Sequence, residues 1–99
     1  IVLDPPAFAK HRGALPRALA GYKEINLRAM RLLAEGGVLF TASCSFHVSR
    51  GAFFDMLGEA AVDSGRRLAL ERIVGQSSDH PEIVTIPETG YLKGAVLRA

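Results

Sequence analysis

Two short apolar runs constrain the fold of this chain more than any other feature. Residues 1–3 (IVL) and 38–42 (VLFTA) are apolar throughout, without alternation. Such runs are typical of strands that are buried on both faces of a parallel sheet. From Leu15 to Leu33, apolar residues recur at steps of three and four, which predicts one amphipathic helix with Tyr22 in its core-facing stripe. The three segments therefore predict a parallel β-α-β unit.

The rest of the chain continues this alternation and then departs from it. Ser49 can cap a second helix that Gly65 ends, and Gly36-Gly37 is a stop signal for the first. The remaining elements are predicted in this order: a helix over 50–64, a strand over 68–74, a loop over 75–90 and a strand over 91–98. Because no helix separates the last two strands, they can pair antiparallel. The predicted fold class is α/β, with parallel strands and a final antiparallel strand.

Composition limits the classes of protein. The 99 residues are 48% hydrophobic with a net charge of +2, which excludes a disordered tail and allows one domain at most. No apolar run approaches the ~18 residues of a membrane span. A single cysteine cannot form an internal disulfide, so we expect a reducing, cytoplasmic setting. Since the sequence opens inside a strand, we also expect it to be the C-terminal part of a longer chain.

Polar segments follow both apolar runs. Asp4-Pro5-Pro6 follows the first and Ser43-Cys44-Ser45 follows the second. Carboxyl ends of neighbouring parallel strands share one edge of a sheet, where ligands bind, so Asp4 and Cys44 are predicted to lie at the same edge. Asp4 is a candidate proton donor or acceptor, or else a turn former. Cys44 is a candidate nucleophile when ionised, or else an inert buried thiol.

Other signals are weaker. Lys10, His11 and Arg12 form a small basic cluster that could meet phosphates. Lys93-Gly94 marks either a close backbone approach or an edge. No metal is expected, because metal-ligand spacing is missing among His11, His47, His80 and Cys44. The sequence also has no glycine-rich phosphate-binding loop.

Four segments in order resemble a known family: LDPPAFAK, GYKEINLRAMRLLAEGGVLFTASCS, DHPE and IPETGYLKG. They resemble the C-terminal half of class I S-adenosylmethionine-dependent methyltransferases, most closely the ribosomal RNA large-subunit cytosine-5 methyltransferase I type. In that type a PUA domain precedes a Rossmann-like catalytic domain. The resemblance covers residues 1–99 and implies one fragment of the catalytic domain, without the upstream cofactor-binding half. It implies S-adenosylmethionine as donor, ribosomal RNA as partner and an isolated chain that is inactive.

The resemblance also implies roles for single residues. Cys44 matches the nucleophile that adds to C6 of cytosine, and Asp4 matches the residue that assists at N3. Asp4 and Pro5 would also meet the methyl donor. Residues expected to contact the substrate are Pro5, Pro6, Phe8 and Lys10. Some RNA cytosine-5 methyltransferases carry a second cysteine where Pro6 stands here, so Cys44 would act alone.

Two alternatives remain open. A nitrogen methyltransferase acting on an RNA base would need the DPP motif but no covalent cysteine. A non-catalytic binding or dimerisation module would need neither. Without a strand beside it, the run 1–3 would form an exposed apolar edge, which predicts a homodimer through that edge.

Overall fold

The computed structural model describes residues 1–8, 11–76, 81–85 and 91–99. Its helices and strands are β1 (Val2–Leu3), a short 3-10 helix (Arg12–Ala14), α1 (Leu15–Leu32), β2 (Val38–Ser43), α2 (Arg50–Ser64), β3 (Ala69–Val74) and β4 (Lys93–Arg98). The predicted alternation of strands and helices is confirmed. None of the helices in these ranges is long and apolar enough to cross a membrane.

The sheet has the order β1-β2-β4-β3. β1 pairs parallel with β2, and β4 pairs antiparallel with both β2 and β3. The parallel unit and the final antiparallel strand are therefore confirmed. The insertion of β4 between β2 and β3 does not follow from the sequence pattern. β2 and β3 run in the same direction and do not pair with each other, because β4 lies between them and is antiparallel to both.

A glycine permits this insertion. Gly94 lies opposite Ala42 on one side and Val74 on the other. A Cβ atom at Gly94 would lie 2.7 Å from Cγ2 of Val74 and 3.1 Å from the carbonyl oxygen of Thr41. Of the two interpretations of Lys93-Gly94, the close backbone approach is therefore correct.

The two helices end by different means. α2 ends as predicted, with Gly65 in the left-handed conformation at φ 72°. α1 ends at Leu32, before the glycine pair 36–37 that the sequence offers as its stop. At this end, the Arg66 guanidinium donates to the carbonyls of Met30 and Leu33 at 3.3 and 2.7 Å. A side chain from beyond α2 thus satisfies the last carbonyls of α1.

The core lies around α1, α2 and the central strands. Its buried members include Ala18, Tyr22, Met30, Leu39, Val48, Phe53, Met56, Leu57, Ala60, Ala95 and Leu97. Asn26 of α1 is buried with them, and both polar atoms of its side chain form hydrogen bonds. Its Nδ2 donates to the Tyr22 carbonyl at 2.8 Å, and its Oδ1 accepts from Thr41 Oγ1 at 2.6 Å. Asn26 therefore fixes α1 against β2.

β1 corrects one expectation. The prediction that the run 1–3 is buried on both faces is wrong, because β1 is an edge strand whose Val2 is 72% exposed. The exposed apolar edge that is predicted for a chain without a neighbouring strand is confirmed. The reason is that its second side has no partner strand among the described residues. Its other side is anchored to β2, where the Ile1 amino group donates to the Val38 carbonyl and the Phe40 amide donates to the Ile1 carbonyl, both at 2.9 Å.

Candidate active site

The carboxyl edge of β1 and β2 carries both sequence-predicted catalytic residues. Leu3 lies opposite Thr41 in the parallel ladder, so Asp4 leaves the sheet directly after this pair. β2 continues to Ser43, and Cys44 follows it at the same edge. Asp4 is exposed and Cys44 is a half-buried free thiol. The structure therefore brings the carboxylate and the thiol to one edge, and their chemical roles remain predictions.

The hydroxyl of Tyr22 joins the segments that carry these two residues. It accepts a hydrogen bond from the Phe8 amide at 3.3 Å and bonds to Ser45 Oγ at 2.5 Å. The Phe8 ring also packs on the Tyr22 ring, with centroids 4.7 Å apart and a tilt of 51°. Tyr22 is a core residue, as predicted, but sequence reasoning missed this link. A tyrosine in a buried apolar stripe is the signal, because its hydroxyl needs a polar partner there.

The Ser43-Cys44-Ser45 segment is held by its own serines. The Ser45 amide donates to Ser43 Oγ at 3.3 Å, and the Ser45 carbonyl accepts from the Val48 amide at 3.2 Å. Both serines are buried, whereas Cys44 between them is only half-buried. The backbone at Cys44 is therefore fixed by its neighbours, while the residue as a whole is partly exposed to solvent.

Lys93 is a second residue of this region that sequence reasoning missed. It lies opposite Ser43 on β4, is 3% exposed, and its Nζ donates to the Ser45 carbonyl at 2.5 Å. Burial lowers the pKa of Lys93 to about 8; the charge of Cys44 opposes this effect and that of Arg50 adds to it. A signal was present, because Lys93 alternates with the buried residues Ala95 and Leu97 and so shares their face.

The other predicted site residues lie around the same loop. Pro5 is half-buried, Pro6 is exposed, and Phe8 is 36% exposed beside Tyr22. Lys10 and His80 lie outside the described residues. Within the described ranges, no group of three or more His, Cys, Asp or Glu side chains is arranged to hold a metal ion.

Comparison with known sequences finds relatives that carry the same protein name. The chain is 48% identical to ribosomal RNA large subunit methyltransferase I of Aeromonas salmonicida over 99 residues, which is 100% of this chain and 25% of that protein. It is 45% identical to the Escherichia coli protein of the same name over 98 residues, which is 99% of this chain and 25% of that protein. The chain thus spans about a quarter of the length of these curated relatives. No protein-family model matches it.

Solved structures agree at the level of the fold. A structure described as a methyltransferase complexed with SAH superposes with a TM-score of 0.75 at 17% identity, covering 100% of this chain and 25% of that one. A protein of Streptococcus mutans described as S-adenosylmethionine-dependent gives 0.77 at 15% identity, with 100% and 24% coverage. Over its whole length, this chain is therefore homologous to a segment that makes up about a quarter of ribosomal RNA large subunit methyltransferase I, as its motifs predict. Its structure matches part of a methyltransferase fold.

Proposed function

We propose that this chain forms the target-base side of the active site of an S-adenosylmethionine-dependent methyltransferase, which methylates C5 of a cytosine in ribosomal RNA through a covalent Cys44 adduct. The observation that carries the proposal is the placement of Asp4 and Cys44 at one sheet edge, where Tyr22 joins the segments that follow them by bonding to the Phe8 amide and to Ser45 Oγ. The names of the relatives support an RNA substrate. Because the proposed substrate is ribosomal RNA, we also propose that the protein acts in the cytoplasm.

The groups at this edge suit one side of the methyl donor. When bound, S-adenosylmethionine supplies a methyl group as an electrophile on a positively charged sulfur. The exposed Asp4 carboxylate attracts such a cation. Pro5 and Pro6 have no backbone N–H, so their backbone offers only hydrogen-bond acceptors. Asp4 and Pro5 would hold this side of the donor. Because the sequence has no glycine-rich motif for the rest of it, we expect the 99-residue chain alone to be inactive.

The reaction requires a nucleophile because C5 of cytosine reacts poorly by itself. The Cys44 thiolate adds to C6, while Asp4 protonates or hydrogen-bonds N3. The electron pair of the former double bond then makes C5 nucleophilic, and C5 takes up the methyl group. Solvent water takes the C5 proton, and the electron pair of that C–H bond restores the C5–C6 double bond as the C6–S bond breaks and the thiolate leaves. A proton that Asp4 gave to N3 returns to Asp4. Pro6 occupies the position of a second cysteine, so Cys44 completes both addition and release.

The test uses the full-length protein with labelled S-adenosylmethionine and ribosomal RNA that contains 5-fluorocytidine. Fluorine at C5 prevents the final proton loss, so the covalent adduct accumulates. We expect a protein–RNA complex that resists denaturation in the wild type and is lost in Cys44→Ala. Unsubstituted RNA is the matched substrate, and with it we expect turnover in the wild type without a trapped complex.

Two outcomes would contradict the proposal. Methyl transfer that survives Cys44→Ala, with no trapped complex, would assign a nitrogen methyltransferase and leave Cys44 as a packed thiol. Absence of methyl transfer in the wild type, together with retained RNA binding, would assign a non-catalytic binding module. Asp4→Asn adds a separate readout, because we expect it to slow adduct formation by about 10²-fold as for loss of general acid assistance.

A further inference from the structure

Lys93 is the buried charged side chain beside the proposed nucleophile. In the β2–β4 ladder it lies opposite Ser43, the residue before Cys44. Burial of an ammonium group costs free energy unless other groups compensate for it. Among the residues that the structure describes, Lys93 forms no ion pair with a carboxylate. Its hydrogen bond goes to the Ser45 carbonyl, a neutral group that compensates only in part.

Among the described residues, Cys44 is a group beside Lys93 that can carry a negative charge. The charge of Cys44 raises the pKa of Lys93, against the larger effect of burial, so the two groups interact electrostatically. The Lys93 ammonium group bonds to the carbonyl of Ser45, the residue next to Cys44, and a nearby positive charge favours the ionised form of a thiol. The thiolate is the form that attacks C6. Other titratable groups around the pair are Arg50 at the start of α2, Tyr22 on α1 and Asp4 after β1.

The same lysine also fixes the segment on which Cys44 lies. Ser45 is bonded to Tyr22 through its hydroxyl and to Lys93 through its carbonyl, from α1 and β4 respectively. Cys44 lies between Ser45 and Ser43, and Ser43 is held in the β2–β4 ladder. The backbone of Cys44 is therefore fixed on both sides. A solvent-exposed lysine could not hold this carbonyl as firmly, because water would compete for it.

We propose that Lys93 is a positioning residue for Cys44: it holds the Ser45 carbonyl and stabilises the ionised thiol with its ammonium group. The inference rests on the proposed function for its catalytic meaning, and it adds a residue to the site. Lys93 does not touch the base in this scheme, since the side chain is 3% exposed and is used in the bond to Ser45.

The test measures the ionisation of Cys44 directly, without RNA or methyl donor. Full-length protein is treated with iodoacetamide from about pH 6 to about pH 10, and alkylation is followed by mass spectrometry on the peptide that contains Cys44. The variants are Lys93→Met, Lys93→Gln, which keeps a hydrogen-bond donor without the charge, and Lys93→Arg, which keeps the charge. Lys23→Met is the matched control: it also removes a lysine charge, but the Lys23 ammonium group pairs with Asp63 of α2 at 2.8 Å and not with the segment around Cys44.

We expect the midpoint of alkylation to rise by about one pH unit in both neutral variants, which is a ~10-fold slower reaction near neutral pH. Lys93→Arg should recover at least half of this shift, and Lys23→Met should match the wild type. A wild-type midpoint in either neutral variant overturns the proposal. A merely structural lysine would lower the amount of folded protein without moving the midpoint.

Folding and catalysis are separated by two further readouts. Every variant retains the Val48 amide that donates to the Ser45 carbonyl, and methionine removes the cost of burying an ammonium group, so we expect folded protein by circular dichroism. Trapping on 5-fluorocytidine RNA should be ~10-fold slower in Lys93→Met near neutral pH and should recover as the pH rises. If the midpoint moves but no adduct forms even in the wild type, the proposed function fails while the Lys93–Cys44 coupling stands. If the adduct forms equally fast in Lys93→Met, the inference fails and the proposed function stands.

Discussion

At the scale of single residues, Ser45 is the point where the candidate site is assembled. Its hydroxyl meets Tyr22 from α1, and its carbonyl meets both the Val48 amide and Lys93 from β4. All of these polar groups are buried, where hydrogen bonds are strong and an unpaired group is costly. The described part of the chain accordingly has no buried side-chain nitrogen or oxygen without a partner. The residues around Cys44 therefore define its position closely.

Lys93 makes stability depend on pH in a defined window. Folding lowers its pKa from 10.5 to about 8, mainly through burial. Between these values the unfolded chain binds more protons than the folded chain, so the free energy of unfolding rises with pH. Relative to Lys93→Met, we expect the wild type to gain on the order of 1–2 kcal/mol between about pH 8 and pH 10. Urea unfolding of both proteins across this range measures the difference, and a constant difference would contradict the expectation.

At the scale of secondary-structure elements, β4 connects the candidate site to the rest of the sheet. It pairs with β2 along its whole length and with β3 on the other side. Lys93 at its first position reaches the site, while Arg98 at its last position forms an ion pair with Glu71 of β3. The strand is therefore bonded at both ends and on both sides, and a shift of β4 would move Lys93 relative to Ser45.

Gly94 sets how closely β4 can approach its neighbours. In Gly94→Ala the new Cβ would meet the stiff, β-branched side chain of Val74 and the backbone of Thr41, so a strand must move. We expect a loss of about 1–3 kcal/mol in the free energy of unfolding, as for overpacking in cores. Denaturant unfolding measures it.

A second glycine supplies the control for this experiment. Gly58 lies inside α2, and the position that a Cβ would take there has no neighbouring atom within 4 Å. Gly58→Ala should therefore stabilise the chain by about 0.5–1 kcal/mol, because alanine loses less conformational freedom than glycine in a helix. Equal effects of the two substitutions would show that Gly94 is replaceable and that the close approach does not constrain β4.

At the scale of the whole molecule, β1 is one of the two edge strands of the sheet that the structure describes, and β3 is the other. β1 bonds to β2 on one side, and its exposed residues Ile1 and Val2 are 49% and 72% accessible. An apolar strand with a free side can pair with a second copy of the chain. This edge lies next to Asp4, so an added strand would also lie close to the candidate site.

We expect the 99-residue chain to self-associate through this edge. Light scattering should give a mass above that of the monomer at high concentration. Val2→Lys should restore the monomer, because a charge on the edge opposes strand pairing. Val62→Lys is the control, since Val62 is 79% exposed on α2 and its replacement should leave association unchanged. A monomeric wild type at high concentration, or equal effects of both lysines, would contradict the homodimer.

The sequence by itself determined the elements and the edge at which the motifs meet. Apolar runs, helical periodicity, Ser49 and Gly65 are local signals, because strand formation and helix capping depend on residues a few positions apart. The parallel pairing that brings Asp4 and Cys44 to one edge follows from the β-α-β order. The family motifs added the chemistry that these two residues are proposed to perform.

Only the tertiary structure decided how β4 enters the sheet and what surrounds Cys44. The position of a strand among its neighbours depends on contacts between residues far apart in the chain, such as Lys93 and Ser45, which local patterns do not encode. The bond from Arg66 to the Leu33 carbonyl at the end of α1 also joins residues that are far apart in the chain. Tyr22 and Lys93 carry polar atoms at core-facing positions, where such atoms need partners. The partner itself, Ser45 in both cases, was fixed by packing.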